Sequence, residues 1–354
     1  MDATKNAPKV TKESKEKIKV EFEGQLSAWE RFRLKVFSTY FLKNVIVRIC
    51  IYVLLVGVSY IIIYPFISKL ASSVMCREDF VDATVLLISK NPTLDTYRAI
   101  IVDNRYFEAL LNTAILSGSS AVIQMFVTCL IGYGFAKFNF KGNSLLFLFV
   151  ILTMIVPHST LHLAMFMKFR YFDIFGLFNL LGGGAGGALR NLKILPFTSV
   201  DLTNSYWPFL ILSLTGLAFK NGLFIFMLRQ FFRGVPDELE ESAYIDGAGT
   251  LRTFVQIILP LSVPMLVTVF MFAFSWQWTD GYYVNVFFTT QGPYTMRNII
   301  RQPSSLDADY AGRNMYLAAI NNTAGILILV PLIVIYCFAQ KSLVQGIERS
   351  GITG

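Results

Sequence analysis

The residues able to do acid–base or metal chemistry are few, and their spacing argues against a catalytic centre. His158 and His162 stand at i and i+4, so a helix would set two imidazoles on one face. No glutamate follows His158 and no third ligand is apparent, so the metalloprotease pattern fails and no metal site is assigned. The glycine-rich run from Gly182 to Gly187 lacks the Lys-Ser or Lys-Thr that a phosphate-cradling loop needs, and no GxxxxGK[ST] occurs anywhere. Cys50, Cys76, Cys129 and Cys337 form no CxxC pair and indicate neither a disulfide framework nor a zinc site. The acids gather instead in one stretch, Asp237-Glu238-Leu239-Glu240-Glu241 behind Pro236, which runs on through Ser242 and Ala243 to Asp246, Gly247 and Ala248. With no catalytic residue assigned, the chemistry this pattern suits is recognition.

The elements that must position this stretch follow from its residue types. Pro236 suits a first helical turn, where its missing N–H costs nothing, and the acids behind it complement the positive end of a helix. Gly247 and Gly249 supply the backbone freedom for a turn. Thr250 can cap a second helix running toward Leu259 and Pro260. The expectation is a helix of about three turns, a sharp bend, and a second helix that enters the membrane. A short acidic helix held at a membrane surface offers a rigid knob to a soluble partner.

Composition supplies the membrane. The chain of 354 residues is 54% hydrophobic and only 15% charged, with 32 Phe, which fits an all-α polytopic membrane protein. The net charge of +8 lies beside apolar segments, so it speaks for orientation in a bilayer and not for nucleic acid. About six segments are long and apolar enough to span, near Asn44–Phe66, Ala109–Tyr133, Ser144–Ala164, Tyr206–Leu228, Ile257–Trp278 and Ile320–Ala339. Lys and Arg crowd the segment before the first span, Lys137 and Lys141 occupy the short second loop, and Arg229 and Arg233 precede the acidic stretch. The positive-inside rule then places both termini and that stretch in the cytoplasm of a multi-pass protein. No cleavable signal peptide is evident, because a long polar segment precedes the first apolar run. Residues 1–43 read as a basic tail whose part from Leu26 to Lys43 is an amphipathic helix, either lying among headgroups or extending the first span. Residues 44–105 hold the first span and an external loop, 106–340 a core, and 341–354 a cytoplasmic tail. The loop carrying the glycine run reads as an external excursion.

Polar groups inside the spans mark a path. Lys220 lies about nine residues from Arg229, roughly 14 Å along a helix, too deep for easy snorkelling. Asn221 follows it. The two form either a structural pair with another subunit or a contact to a transported solute. Trp276 and Trp278 either anchor a span end or stack on a sugar ring. The last five spans contain no Asp or Glu, whereas proton-coupled carriers usually keep such residues in the membrane.

Glu241-Ser242-Ala243, Gly247, Ile257 and Leu259-Pro260 resemble the EAA loop of ABC importer permeases, with Ser242 where the family usually has alanine. The surrounding FMLRQFFRGVPDELEESAYIDGAG is similar to carbohydrate-uptake permeases, particularly the smaller maltose-type subunit. The resemblance implies that Glu240, Glu241, Ser242, Ala243, Asp246, Gly247 and Ala248 dock in a cleft of an ATPase as the coupling helix. It implies a second homologous permease, two ATPase subunits that hold ATP and Mg, an extracytoplasmic solute-binding protein, and residence among the lipids of a bacterial inner membrane. This chain would bind no cofactor itself. Gln345 and Gly346 resemble a tail that reaches between the ATPases; a frayed terminus is the other reading. An ion-gradient carrier, a membrane scaffold and an ABC importer of a non-sugar solute are the alternative functions.

Overall fold

The computed structural model describes residues 29, 39–181, 198–289, 292–306 and 313–351. Most of the basic N-terminal tail, including most of its amphipathic stretch, and the glycine run at 182–187 lie outside these residues. The chain divides into two compact units, Met1–Lys69 and Leu70–Gly354. The first unit holds most of α1 (Thr39–Ser73), an apolar helix with Pro65 inside it. It is long enough to cross a bilayer.

In the second unit, α2 (Asp95–Asp103) leads through Arg105, in the left-handed region at φ 46°, into α3 (Tyr106–Lys137). α3 is the axis of the core. Its buried residues recur every three or four positions, from Ala109 and Thr113 through Leu116, Ser120, Gln124 and Thr128 to Tyr133, as one helical face requires. Small residues along that face let neighbours approach closely. A Cβ on Gly132 would lie 2.8 Å from the Leu228 Cβ, so this contact needs glycine.

The middle of the chain departs from straight spans. The segment expected at Ser144–Ala164 is α4 (Asn143–Ile155), then a break at Val156-Pro157, a 3-10 turn, and α5 (His162–Arg170), with the two halves at 91°. Pro157 cannot continue the helical hydrogen bonding, and it biases Val156 to the extended backbone seen there. After a short α6 (Leu177–Leu181), the segment expected at Tyr206–Leu228 is α7 (Trp207–Leu214) and α8 (Asn221–Arg233). Between them Gly216 and Lys220 both take positive φ, 75° and 69°. The span expected to begin at Ile257 is likewise bent, by 74° at Ser262, and its straight part is α12 (Val263–Trp278). Among the described residues three helices are thus long and apolar enough to cross alone, and up to five spans result if each bent pair counts as one. The all-α polytopic membrane class holds; the unbroken geometry expected of the middle spans does not.

At the Arg105 end of α3 the connections are tied down by side chains. Asn104 donates to the Ile299 and Arg301 carbonyls, each at 2.9 Å, and Asn112 donates to the Tyr294 carbonyl at 2.9 Å. Asp103 accepts from the Ser305 N–H at 2.8 Å, and hydrogen bonds from Ser305 and Ser304 hold its carboxyl below the usual range. α13 (Tyr282–Phe287) packs by Phe287 against Phe169 and Phe209. The chain closes on α14 (Arg313–Gly351), which packs along α12 and passes position 340 without a break.

Candidate coupling and translocation sites

The acidic stretch folds into α9 (Glu238–Ile245), eight residues and so about two turns instead of three, with Asp237 at its cap and Pro236 outside the first turn expected to hold it. Its end is a Schellman turn. The Ala248 N–H reaches the Ala243 carbonyl at 2.9 Å, the Gly247 N–H reaches that of Tyr244 at 3.0 Å, and Gly247 sits at φ 81°. Gly249, not Thr250, is the cap of the next helical run, α10 (Thr250–Thr253). That run continues through a π-turn at Phe254–Ile258 into α11 (Leu259–Leu261).

The residues of this site divide by face. Glu240 and Ala243 are buried inward, whereas Glu241, Ser242, Asp246 and Gly247 are exposed and Ala248 is half-buried. Exposed apolar groups lie among them: Ile245 is 86% and Leu251 77% accessible. Glu240 does not join the outward surface. Its carboxylate takes the Tyr133 hydroxyl at 3.3 Å and lies 3.5 Å from the Lys137 ammonium. Lys137 also donates to the Val235 carbonyl at 2.8 Å and pairs with Asp237 at 2.5 Å, its side chain only 7% exposed. Tyr133 is packed among Phe138, Phe232 and Phe254. One lysine and one tyrosine at the end of α3 thereby fasten the knob to the core. Neither was singled out as a site residue in the sequence, because their partners lie about 100 positions away.

A second constellation forms where the middle spans break. Lys220 caps α8, with its ammonium 4.7 Å from the Phe219 ring centre and 5.6 Å from that of Trp276. Trp276 stacks on Phe224 and Phe272. His158, from the turn after Pro157, packs on Phe219 and Tyr283. Its Nδ1 lies 2.5 Å from the Tyr283 hydroxyl, and its carbonyl accepts from Tyr282 at 2.7 Å. His162 packs on Tyr282 and so serves the same wall. Lys220 and Trp276 are therefore brought together. His158, Phe219 and the two tyrosines complete the group; the His158/His162 spacing was the one sequence signal for them.

Asn221 and Trp278 sit differently. Asn221 is fully buried and neither amide atom has a hydrogen-bond partner among the described residues. Trp278 is 4% exposed and donates to the Ile328 carbonyl at 3.0 Å. It borders a cavity of about 470 Å³ at the Arg105 end, whose polar lining includes Thr113, Gln277, Asp280 and Arg297. Gln345 is exposed on α14. Gly346 is buried at a helix crossing, where an added Cβ would lie 2.7 Å from the Pro264 carbonyl.

Comparison with known proteins joins these features. The chain is 25% identical over 321 residues to a polygalacturonan/rhamnogalacturonan transport system permease of Bacillus subtilis, covering 88% of this chain and 100% of that protein. It is 26% identical over 309 residues to a maltodextrin transport system permease of the same organism, covering 87% and 96%. Its fold matches a chain in the crystal structure of a bacterial ABC transporter that imports the acidic polysaccharide alginate, with a TM-score of 0.61, 18% identity, and 84% and 97% of the two chains covered. Residues 128–349, from the lower half of α3 through the knob and the bent spans to α14, match the family described as binding-protein-dependent transport system inner membrane component. The chain belongs to that family, and it is a permease subunit of the ABC importer class.

Proposed function

We propose that this permease serves an ATP-driven importer of saccharides, and that α9 is its coupling helix. The observation that carries the reading is the knob itself. Glu241, Ser242, Ile245, Asp246 and Gly247 stand out from the core, while Glu240 and Ala243 hold the helix to it. A protruding face that mixes acids with an 86% exposed isoleucine has the composition of an interface still to be covered. In this reading two ATPase subunits, carrying ATP and Mg, receive the knobs of this chain and of a second, homologous permease. A solute-binding protein delivers substrate to the Arg105 end. Both termini lie in the cytoplasm, and Gln345 is close to the ATPases. Lys220, Asn221, Trp276 and Trp278 belong to the path or its supports. The names of the relatives favour saccharide as cargo.

The test is reconstitution. The chain should co-purify with an ATPase, and proteoliposomes should take up a labelled oligosaccharide when ATP and the binding protein are supplied. Uptake that survives without ATP and collapses with an ionophore would instead identify an ion-gradient carrier.

A further inference from the structure

We infer that the break before α8 is a subsite for the carboxylate of an acidic sugar unit, so that the saccharide moved by this permease is anionic. This rests on the saccharide-importer reading above and narrows it to one chemical class.

Three elements converge on one level. α4 and α8 each contain 13 residues, so their broken ends lie about 20 Å from their far ends. Trp276 stands a similar distance along α12. That level is well inside an apolar core of about 30 Å.

Positive charge collects there from two sources. One is the Lys220 ammonium, and among the described residues no carboxylate lies within ion-pair distance of it. The other is the N-terminus of α8, which presents the positive end of its dipole there, with the Asn221 N–H already donated to the Ala218 carbonyl at 3.0 Å. Asn221, the first residue of α8, is 0% exposed with its amide oxygen and nitrogen both unpartnered among the described residues. An unpaired buried amide carries a cost, and at 0% exposure this one is closed to a guest in the present conformation. Asp280, the acid in the turn before Tyr282, is already committed to the backbone N–H groups of Tyr282 and Tyr283, at 2.9 and 3.1 Å.

A lysine this deep costs about 2.5 kcal/mol or more when it faces lipid. The Phe219 and Trp276 rings recover part of that through their faces. They supply no full negative charge. Sugar hydroxyls would give Lys220 hydrogen bonds and leave its charge unbalanced, whereas a carboxylate supplies both. The remaining groups suit the rest of a sugar unit. Phe219 is 38% exposed and offers an apolar ring edge, and the two tyrosines hold His158 by its Nδ1 and carbonyl, which leaves Nε2 as the ring nitrogen for a ligand.

The experiment uses the complete importer, with both permeases, the ATPase and the binding protein, in proteoliposomes offered labelled trigalacturonate or labelled maltotriose. The expected result is ATP-dependent uptake of trigalacturonate at least about tenfold above maltotriose, the ratio that one charge-assisted hydrogen bond can set. Lys220→Gln should lose most of that uptake while the complex is recovered in wild-type amount, and Lys220→Arg should keep it within about threefold. Preference for maltotriose, unchanged in Lys220→Gln, leaves the saccharide importer standing and overturns the acidic subsite. Uptake of neither sugar removes the saccharide reading and this inference together. If Lys220→Gln and Lys220→Met both dissociate the permease pair while Lys220→Arg does not, the counter-charge belongs to the partner permease and the subsite is overturned.

Discussion

Lys137 shows how much depends on one ammonium group. It touches the Val235 carbonyl, Asp237 and Glu240, and so joins the end of α3 to both the approach and the body of α9. Asp237 is 79% exposed, and its share of the pairing is weakened by solvent. Glu240 is different, because its side chain is only 10% exposed. Removing the cation from a carboxylate buried to that degree costs about 3 kcal/mol or more. Lys137→Met should therefore loosen the knob without preventing membrane insertion. The expected outcome is lower substrate-stimulated ATP hydrolysis and faster proteolysis within residues 234–250. Adding Glu240→Gln should restore part of the loss, since no unpaired charge is then left. Equal proteolysis of the single mutant and wild type would show that the contact does not hold the helix.

At the scale of elements, the turn after α9 makes the sharpest prediction. Gly247 has nothing of its own chain within 4 Å of where a Cβ would stand. A side chain there would cost about 1 kcal/mol of left-handed strain and project straight outward. Gly247→Asp should leave the protein in the membrane at near-normal abundance and abolish stimulation of ATP hydrolysis in the reconstituted complex. Wild-type stimulation would remove the coupling assignment from α9. This element was legible in the sequence because its signals are local: acids at a helix start, and the residue that tolerates positive φ at its end. The bent spans were not. A run of apolar residues measures length and is silent on direction, so Ser144–Ala164 and Tyr206–Leu228 each passed as one rod. Pro157 and Gly216 are breaker types that the length argument passed over, and Lys220 at φ 69° follows no residue preference. The gathering of His158, Tyr283 and Lys220 depended on those breaks and was equally hidden.

For the whole molecule, the last helix ties the tail to the spans. α14 continues to Gly351, and Gly346 lies against Pro264 and Thr268 at the start of α12. Deleting Gln345 to Gly354 thus removes a packing contact together with the tail, whereas a cut after Gly346 removes the tail alone. The first deletion should lower both membrane abundance and transport. The second should keep abundance and lower transport per molecule, if the tail touches the ATPases. Full transport per molecule in the shorter deletion would assign the role of this region to packing only. The broken spans have a further consequence for the molecule as a machine. α4 and α8 are short rods, each about 20 Å long, held together at Gly222, where a Cβ would lie 2.6 Å from the Thr153 Oγ1. α9 hangs from the far end of α8. A rod of that length pivoting by about 10° sweeps its tip through about 3.5 Å, close to one carbon–carbon contact distance. The breaks therefore set a gear ratio: halving the arm means the same pull at the tip turns the pivot through twice the angle, at the depth where Lys220 and Trp276 stand.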